Sequence, residues 1–155
     1  MAKKSAGILL YRNQNKDPEV FLVHPGGPFW IKKDDGAWSI PKGEFEDDEE
    51  PLAAAKREFE EETGIKISGE FIELTPIKQK SGKTVYAWAV EGNIDPSKIK
   101  SNEFEMEWPP KSGKMKTFPE IDKAEWFYLN EAKKKILEAQ SSLIRELETN
   151  LNLHT

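Results

Sequence analysis

The stretch from Pro51 to Thr63 constrains this chain more than any other. Proline opens it at a position where a helix has no use for the missing N–H, and Gly64 follows its last residue. Leu52, Ala55 and Phe59 share one helical face, an apolar stripe that must lie against a sheet or another helix. Glu58, Glu61 and Glu62 stand at i, i+3 and i+4 and share another face. Three carboxylates side by side repel one another unless water or a positive partner separates them. A solvated surface face is the plain reading. A site built around a cation is the other, and oxygen ligands at close quarters suit hard ions such as Mg²⁺ or Mn²⁺. Arg57 is placed to pair with one carboxylate and hold it. The Pro41-Lys42-Gly43 loop just upstream can turn backbone carbonyls toward the same ion.

Around that helix the sequence alternates strands with turns. Residues 5–11 (SAGILLY) and 19–24 (EVFLVH) read as strands joined by the turn-rich NQNKDP, and HPGGPF breaks the chain after them. Residues 37–40 suit a short strand, and 70–77, 84–90 and 123–129 suit longer ones. Residues 103–108 alternate acid with apolar, which places Glu103, Glu105 and Glu107 on one side of a strand. Asn130 is placed to cap one long C-terminal helix whose stripe is Ile136, Leu137, Leu143, Ile144, Leu147 and Leu151. The pattern predicts an α+β domain built in layers.

At 155 residues and 37% hydrophobic content, one domain over 1–155 with one core is expected despite 33% charged residues. A net charge of -5 argues against a general nucleic-acid binder. The absence of cysteine excludes disulfides and thiolate chemistry. No apolar run approaches membrane-spanning length, and Met1-Ala2-Lys3-Lys4 leads straight into a strand, so a cytoplasmic location is the expectation.

The order Gly43, five residues, Glu49, seven residues, Arg57-Glu58-Phe59, one residue, Glu61-Glu62, one residue, Gly64-Ile65 resembles the signature of the Nudix hydrolases, with every specified position filled. The resemblance implies a mixed sheet between helices, with the motif forming loop, helix and loop. It assigns metal-binding carboxylates to Glu58, Glu61 and Glu62, and a metal-ligating backbone carbonyl to Lys42. Arg57 falls on the orienting arginine, Glu49 on the supporting glutamate, and Gly43 and Gly64 on the turn glycines. The implied reaction is hydrolysis of a nucleoside diphosphate linked to another group, with Mg²⁺ or Mn²⁺ as cofactor. Such a linkage is polyanionic and repels hydroxide; a divalent ion neutralises phosphate oxygens and acidifies a bound water. Dinucleoside polyphosphates and nucleoside triphosphates are the first expected substrates, and a small-molecule phosphate anhydride is the expected partner. Some relatives take their general base from a later loop. Glu105 and Glu107 are preferred for that role here, ahead of Glu103 and Glu120.

Lys42 is the first choice for a phosphate contact, with Lys80 on a predicted hairpin beyond it. Trp38 and Tyr86 are the aromatic residues expected to meet a base; a tryptophan two residues before Pro-Lys-Gly is similar to Nudix members acting on dinucleoside polyphosphates. SGKT at 81–84 is not a phosphate loop: Ile77 stands where the first glycine should be, and a strand follows. His24 and His154 without cysteine do not make a typical zinc site. The competing expectations are a Nudix-fold module that binds a nucleotide without cleaving it, and an acidic interaction domain with no small ligand.

Overall fold

The computed structural model describes residues 3–14 and 17–151; His154 lies outside them. Strand β1 (Lys4–Gln14) is central. It pairs antiparallel with β2 (Asp17–Pro25), Tyr11 opposite Val20, and β2 pairs antiparallel with β9 (Ile121–Tyr128), Phe21 opposite Trp126. On its other side β1 runs parallel to β6 (Thr84–Glu91), Ile8 opposite Trp88. The start of β1 also pairs with β3 (Lys42–Phe45), while the two-residue strands β4 (Ile72–Glu73) and β5 (Ile77–Lys78) sit on β6. Together these make a mixed seven-stranded sheet. A separate hairpin joins β7 (Glu103–Glu107) to β8 (Met115–Pro119).

Helix α1 (Pro51–Thr63) covers one face of the sheet, and α2 (Leu129–Lys135) with α3 (Ser141–Asn150) covers the other. This explains why β1 is apolar at consecutive positions instead of alternate ones. Ala6, Ile8 and Leu10 pack with Ala54, Ala55 and Phe59 of α1, while Leu9 and Tyr11 join the cluster that holds Leu143, Ile144 and Leu147 of α3. The fold is thus the α+β arrangement expected, a mixed sheet between helices.

Helix α1 begins and ends as its sequence predicts. The Glu50 carboxylate accepts the Ala53 N–H at 2.8 Å, Pro51 follows, and Gly64 closes the last turn at φ 77°, its N–H on the Glu60 carbonyl at 2.7 Å. Two buried alanines let the helix approach closely, so Phe59 reaches Phe21 at 6.3 Å between ring centroids. Burying such a phenylalanine contributes about 2–3 kcal/mol.

Four local expectations are corrected. Residues 70–77 do not form one strand: Pro76 has no N–H for a ladder, and the Thr75 N–H goes instead to the Glu146 carboxylate of α3 at 2.8 Å. Residues 37–40 make only isolated bridges, Val23 with Ser39 and Trp38 with Ile136. The long C-terminal helix is broken for the second of those bridges. Trp38 donates its N–H to the Lys135 carbonyl at 2.9 Å and accepts the Leu137 N–H at 2.7 Å, which pulls Ile136 out to an extended ψ of 149°. Tyr128, not Asn130, holds the cap position of α2.

Candidate active site

The acidic face of α1 is organised by one arginine. Arg57 grips Glu49 with two hydrogen bonds, Nε to Oε2 at 2.7 Å and Nη2 to Oε1 at 2.8 Å. Its Nη1 donates to Glu58 at 2.9 Å and to Glu61 at 3.0 Å. The Glu49 hydrogen bonds foremost, with those to Glu61 and Glu58, hold the guanidinium even more firmly charged than usual. Glu62 turns the other way and accepts the backbone N–H of Lys42 at 2.5 Å. Burial pushes its carboxyl up to about 8, against that hydrogen bond and with the Glu58 charge adding to the rise. Burial, then the neighbouring Glu61 charge, raises Glu58 as well. Lys42 is pushed the other way, chiefly by burial and then by Lys83.

Gly43 is tied to this arrangement by space. A Cβ built on it would lie 1.9 Å from Glu58 Oε2, so the carboxylate occupies the place a side chain would need.

Lys42 and Glu62 form one end of a cleft of about 220 Å³. Val23, Pro25, Ala37, Ile40, Ile121 and Leu137 give it an apolar interior, and Trp30 and Glu120 line it as well. Its far wall is the segment between β2 and β3, which is fastened from several sides. Gly26 donates its N–H to the Glu120 carbonyl at 2.9 Å. His24, buried, has Nδ1 2.7 Å from Asp122 Oδ1 and Nε2 2.6 Å from the Lys33 carbonyl. The buried Gln140 accepts the Ile40 N–H at 3.1 Å and donates to Ser39 Oγ at 3.0 Å.

The site residues expected from sequence are only partly gathered here. Glu58, Glu61, Glu62, Arg57 and Lys42 come together. Trp38 does not face the cleft: it is 3% exposed, packed between His24 at 5.1 Å and Phe127 at 4.9 Å, with its indole N–H on Asp34. It is a core pillar under the loop. Tyr86 is half-buried against Phe45 on the α1 side of the sheet, and Lys80 is exposed at the β5–β6 turn. Neither lines the cleft. Glu105 is exposed on β7, and Glu107 accepts the N–H groups of Lys111 and Gly113 at 2.9 and 3.0 Å, closing its own hairpin. Both stand outside the cleft lining, where Glu120 is the later carboxylate. Trp30, Gln140 and the His24–Asp122 pair were not singled out for the site. Trp30 alone left a sequence signal, an aromatic in a loop broken by Gly26 and Gly27.

Among the described residues, no three histidine, cysteine or carboxylate side chains already converge as a metal cage. The reason is visible: Arg57 draws Glu58 and Glu61, and the Lys42 N–H draws Glu62. The donors are nevertheless all hard oxygens on adjacent helical positions. They lie against a glycine whose missing side chain leaves Glu58 room beside the backbone. Hard oxygen donors of this kind suit Mg²⁺ or Mn²⁺.

A mixed sheet between helices, with this loop-helix-loop at its edge, defines the class. The chain matches the model of the NUDIX domain over residues 1–147, and it belongs to that family. It is 49% identical over 41 residues to Nudix hydrolase 25 of Arabidopsis thaliana, covering 26% of this chain and 23% of that protein. It is 48% identical over 54 residues to the mRNA-decapping protein g5R of African swine fever virus, covering 32% and 21%. The chain thus aligns with less than a quarter of the length of these curated relatives. Among solved structures it is similar to a Caenorhabditis elegans Ap4A hydrolase binary complex, at 22% identity, TM-score 0.67 and coverage of 96% and 98%. It is also similar to the NUDIX domain of Shewanella oneidensis NrtR complexed with ADP ribose, at 14%, 0.66, 97% and 89%. At these identities the structural likenesses speak for the fold.

Proposed function

We propose that this protein is a Mg²⁺- or Mn²⁺-dependent pyrophosphohydrolase of nucleotide-type substrates, dinucleoside polyphosphates or nucleoside triphosphates first among them. The observation that carries this is the gathering of Glu58, Glu61 and Arg57 on α1 beside a cleft lined by Lys42, Glu62 and Glu120. Glu58, Glu61, Glu62 and the Lys42 backbone would hold the cation, whose chemistry is to neutralise phosphate charge and supply a more acidic water. Arg57 holds Glu58 and Glu61 in place, and Glu49 holds Arg57. Lys42 would meet a phosphate oxygen, and Glu120, which also lines the cleft, would take the proton of the attacking water.

The relatives support the reading from their names alone: one is an Ap4A hydrolase, another a decapping protein. The test is a panel of diadenosine polyphosphates, nucleoside triphosphates, nucleotide sugars, ADP-ribose and capped RNA, each with Mg²⁺ or Mn²⁺. Products are resolved by phosphorus NMR in ¹⁸O-labelled water. The expected result is metal-dependent cleavage of at least one phosphate anhydride. Tight binding of a nucleotide without cleavage of any panel member would replace the proposal with a sensing module.

A further inference from the structure

The His24–Asp122 pair has no part in the proposed chemistry, yet each member adjoins a residue of the cleft lining. Pro25 follows His24, and Ile121 precedes Asp122. The strands that carry them do not run in regular register here. His24 pairs with Lys123 and Pro25 with Ile121, so the β2–β9 ladder skips Asp122. In an unbroken ladder Asp122 would face away from the side that Lys123 shares with His24. The slip turns it back, and its carboxylate reaches the His24 ring. The same slip sets the end of β9, where Glu120 accepts the Gly26 N–H at 2.9 Å.

The hydrogen bonds of the ring fix how many protons the pair holds. A carbonyl oxygen only accepts, so Nε2, 2.6 Å from the Lys33 carbonyl, carries a hydrogen. Nδ1 is 2.7 Å from Asp122 Oδ1, too close for a bare ring nitrogen to face an ionised carboxylate. A second proton therefore lies between ring and acid, on whichever of the two it is counted. The other charges on this side are Lys123 and Glu125 of β9, Lys33 and Asp34 of the loop, and Lys135 of α2. Asp34 is taken by Lys135 and the Trp38 indole, and Lys33 Nζ lies over Trp30. Among the described residues, Asp122 is the ionisable side chain within hydrogen-bond reach of the ring. His24 is 1% exposed, but Asp122 keeps 19% of its side chain in solvent and lines a second cavity of about 110 Å³. The proton thus has a way out.

We propose that His24 and Asp122 are positioning residues that lock the 26–35 loop to the Glu120 end of β9 through this shared proton. With the proton in place, the ring bridges Asp122 on the strand and the Lys33 carbonyl on the loop. Without it, Nδ1 and the carboxylate repel, loop and strand end part, and the cleft they line loses its fixed shape. This rests on the pyrophosphohydrolase reading for the use of the cleft, but its test needs no turnover. Amide hydrogen exchange of the full chain, corrected for the intrinsic rate at each pH, is followed alongside the ¹⁵N signals of the His24 ring. At low pH both ring nitrogens should carry hydrogen, and the Gly26, Ile31 and Lys33 amides should be protected. As the ring loses its proton, exchange at these amides should quicken at least about tenfold, the scale of one lost charge-assisted hydrogen bond. The β1–β6 ladder should keep its protection. Asp122→Asn offers a neutral ring an amide hydrogen instead, so its loop should stay protected throughout. Loop protection that is constant across the wild-type series would overturn the proposal, as would a bare Nδ1 at every pH. An equal quickening in Asp122→Asn would overturn it too. The wild-type series decides even where the variant does not fold. Absent cleavage by a protein whose loop responds in this way would count against the catalytic reading alone.

Discussion

On the wall where α1 meets the cleft through Lys42 and Glu62, the side chains come from one short stretch, residues 42 to 62, and charge arranges them. Arg57 spans Glu49, Glu58 and Glu61, and Glu62 reaches back to the Lys42 N–H. On the facing wall the parts are far apart in sequence and are fastened mainly by backbone bonds and buried rings. Gly26 meets Glu120, His24 meets Asp122, Ile40 meets Gln140, and Trp38 is clamped to Lys135 and Leu137. The first wall gathers the groups suited to a cation, whereas the second mainly fixes shape, although it also contributes Glu120 and the His24–Asp122 pair.

Breaking the second wall should give the largest effect on stability and the least on chemistry. Trp38→Ala is expected to cost about 3–5 kcal/mol in urea unfolding, the usual range for emptying a large aromatic site. Turnover per folded molecule should persist; its loss in a fully folded variant would return Trp38 to the substrate. The first wall should behave in the opposite way. Glu61→Gln and Glu62→Gln each remove a charged oxygen donor and should lower kcat roughly a hundredfold or more at saturating Mg²⁺ with the fold intact. Near wild-type rates would end the metal assignment. Arg57→Ala should cost about tenfold to a hundredfold, as for residues that orient ligands, and Arg57→Lys should recover little because a point charge cannot grip Glu49 twice.

A smaller effect comes from Glu62 itself. Its folded value of about 8 lies above the ordinary 4.5, so between those values the folded chain binds more protons than the unfolded one. Metal-free protein should therefore lose stability as pH rises through that window. Glu62→Gln should flatten the slope, which thermal unfolding in chelator would read. Smallest of all, Glu107→Gln should lower stability by about 1 kcal/mol or less through its hairpin bonds and leave kcat unchanged. A large fall in kcat would place Glu107 in the reaction after all.

What could be read from the sequence divides along the same line. Helical spacing alone put Glu58, Glu61 and Glu62 on one face, and Pro51 and Gly64 marked the ends of α1. The central strand and both layers of helices followed from apolar runs. The opposite wall was hidden because its bonds join residues up to about a hundred positions apart, as Ser39 and Ile40 join Gln140. Trp38 misled for the same reason: its position before Pro-Lys-Gly is local information, whereas its burial depends on His24 and Phe127. The break at Ile136 was invisible because the stripe continues through it, and only the pairing with Trp38 ends the helix.

That break has a consequence for how the chain tolerates change. Gly36, Trp38 and Leu137 lend their amide hydrogens to the carbonyls of Lys134, Lys135 and Trp38, so the strap under the cleft is made of main chain. That fastening does not itself depend on the side chains at 133–135, although the Lys135 ammonium adds ion pairs to Asp34 and Asp35 of the same loop and Lys133 pairs with Glu148 of α3. A proline at 36, 38 or 137, which alone among residues cannot lend a hydrogen, would loosen it.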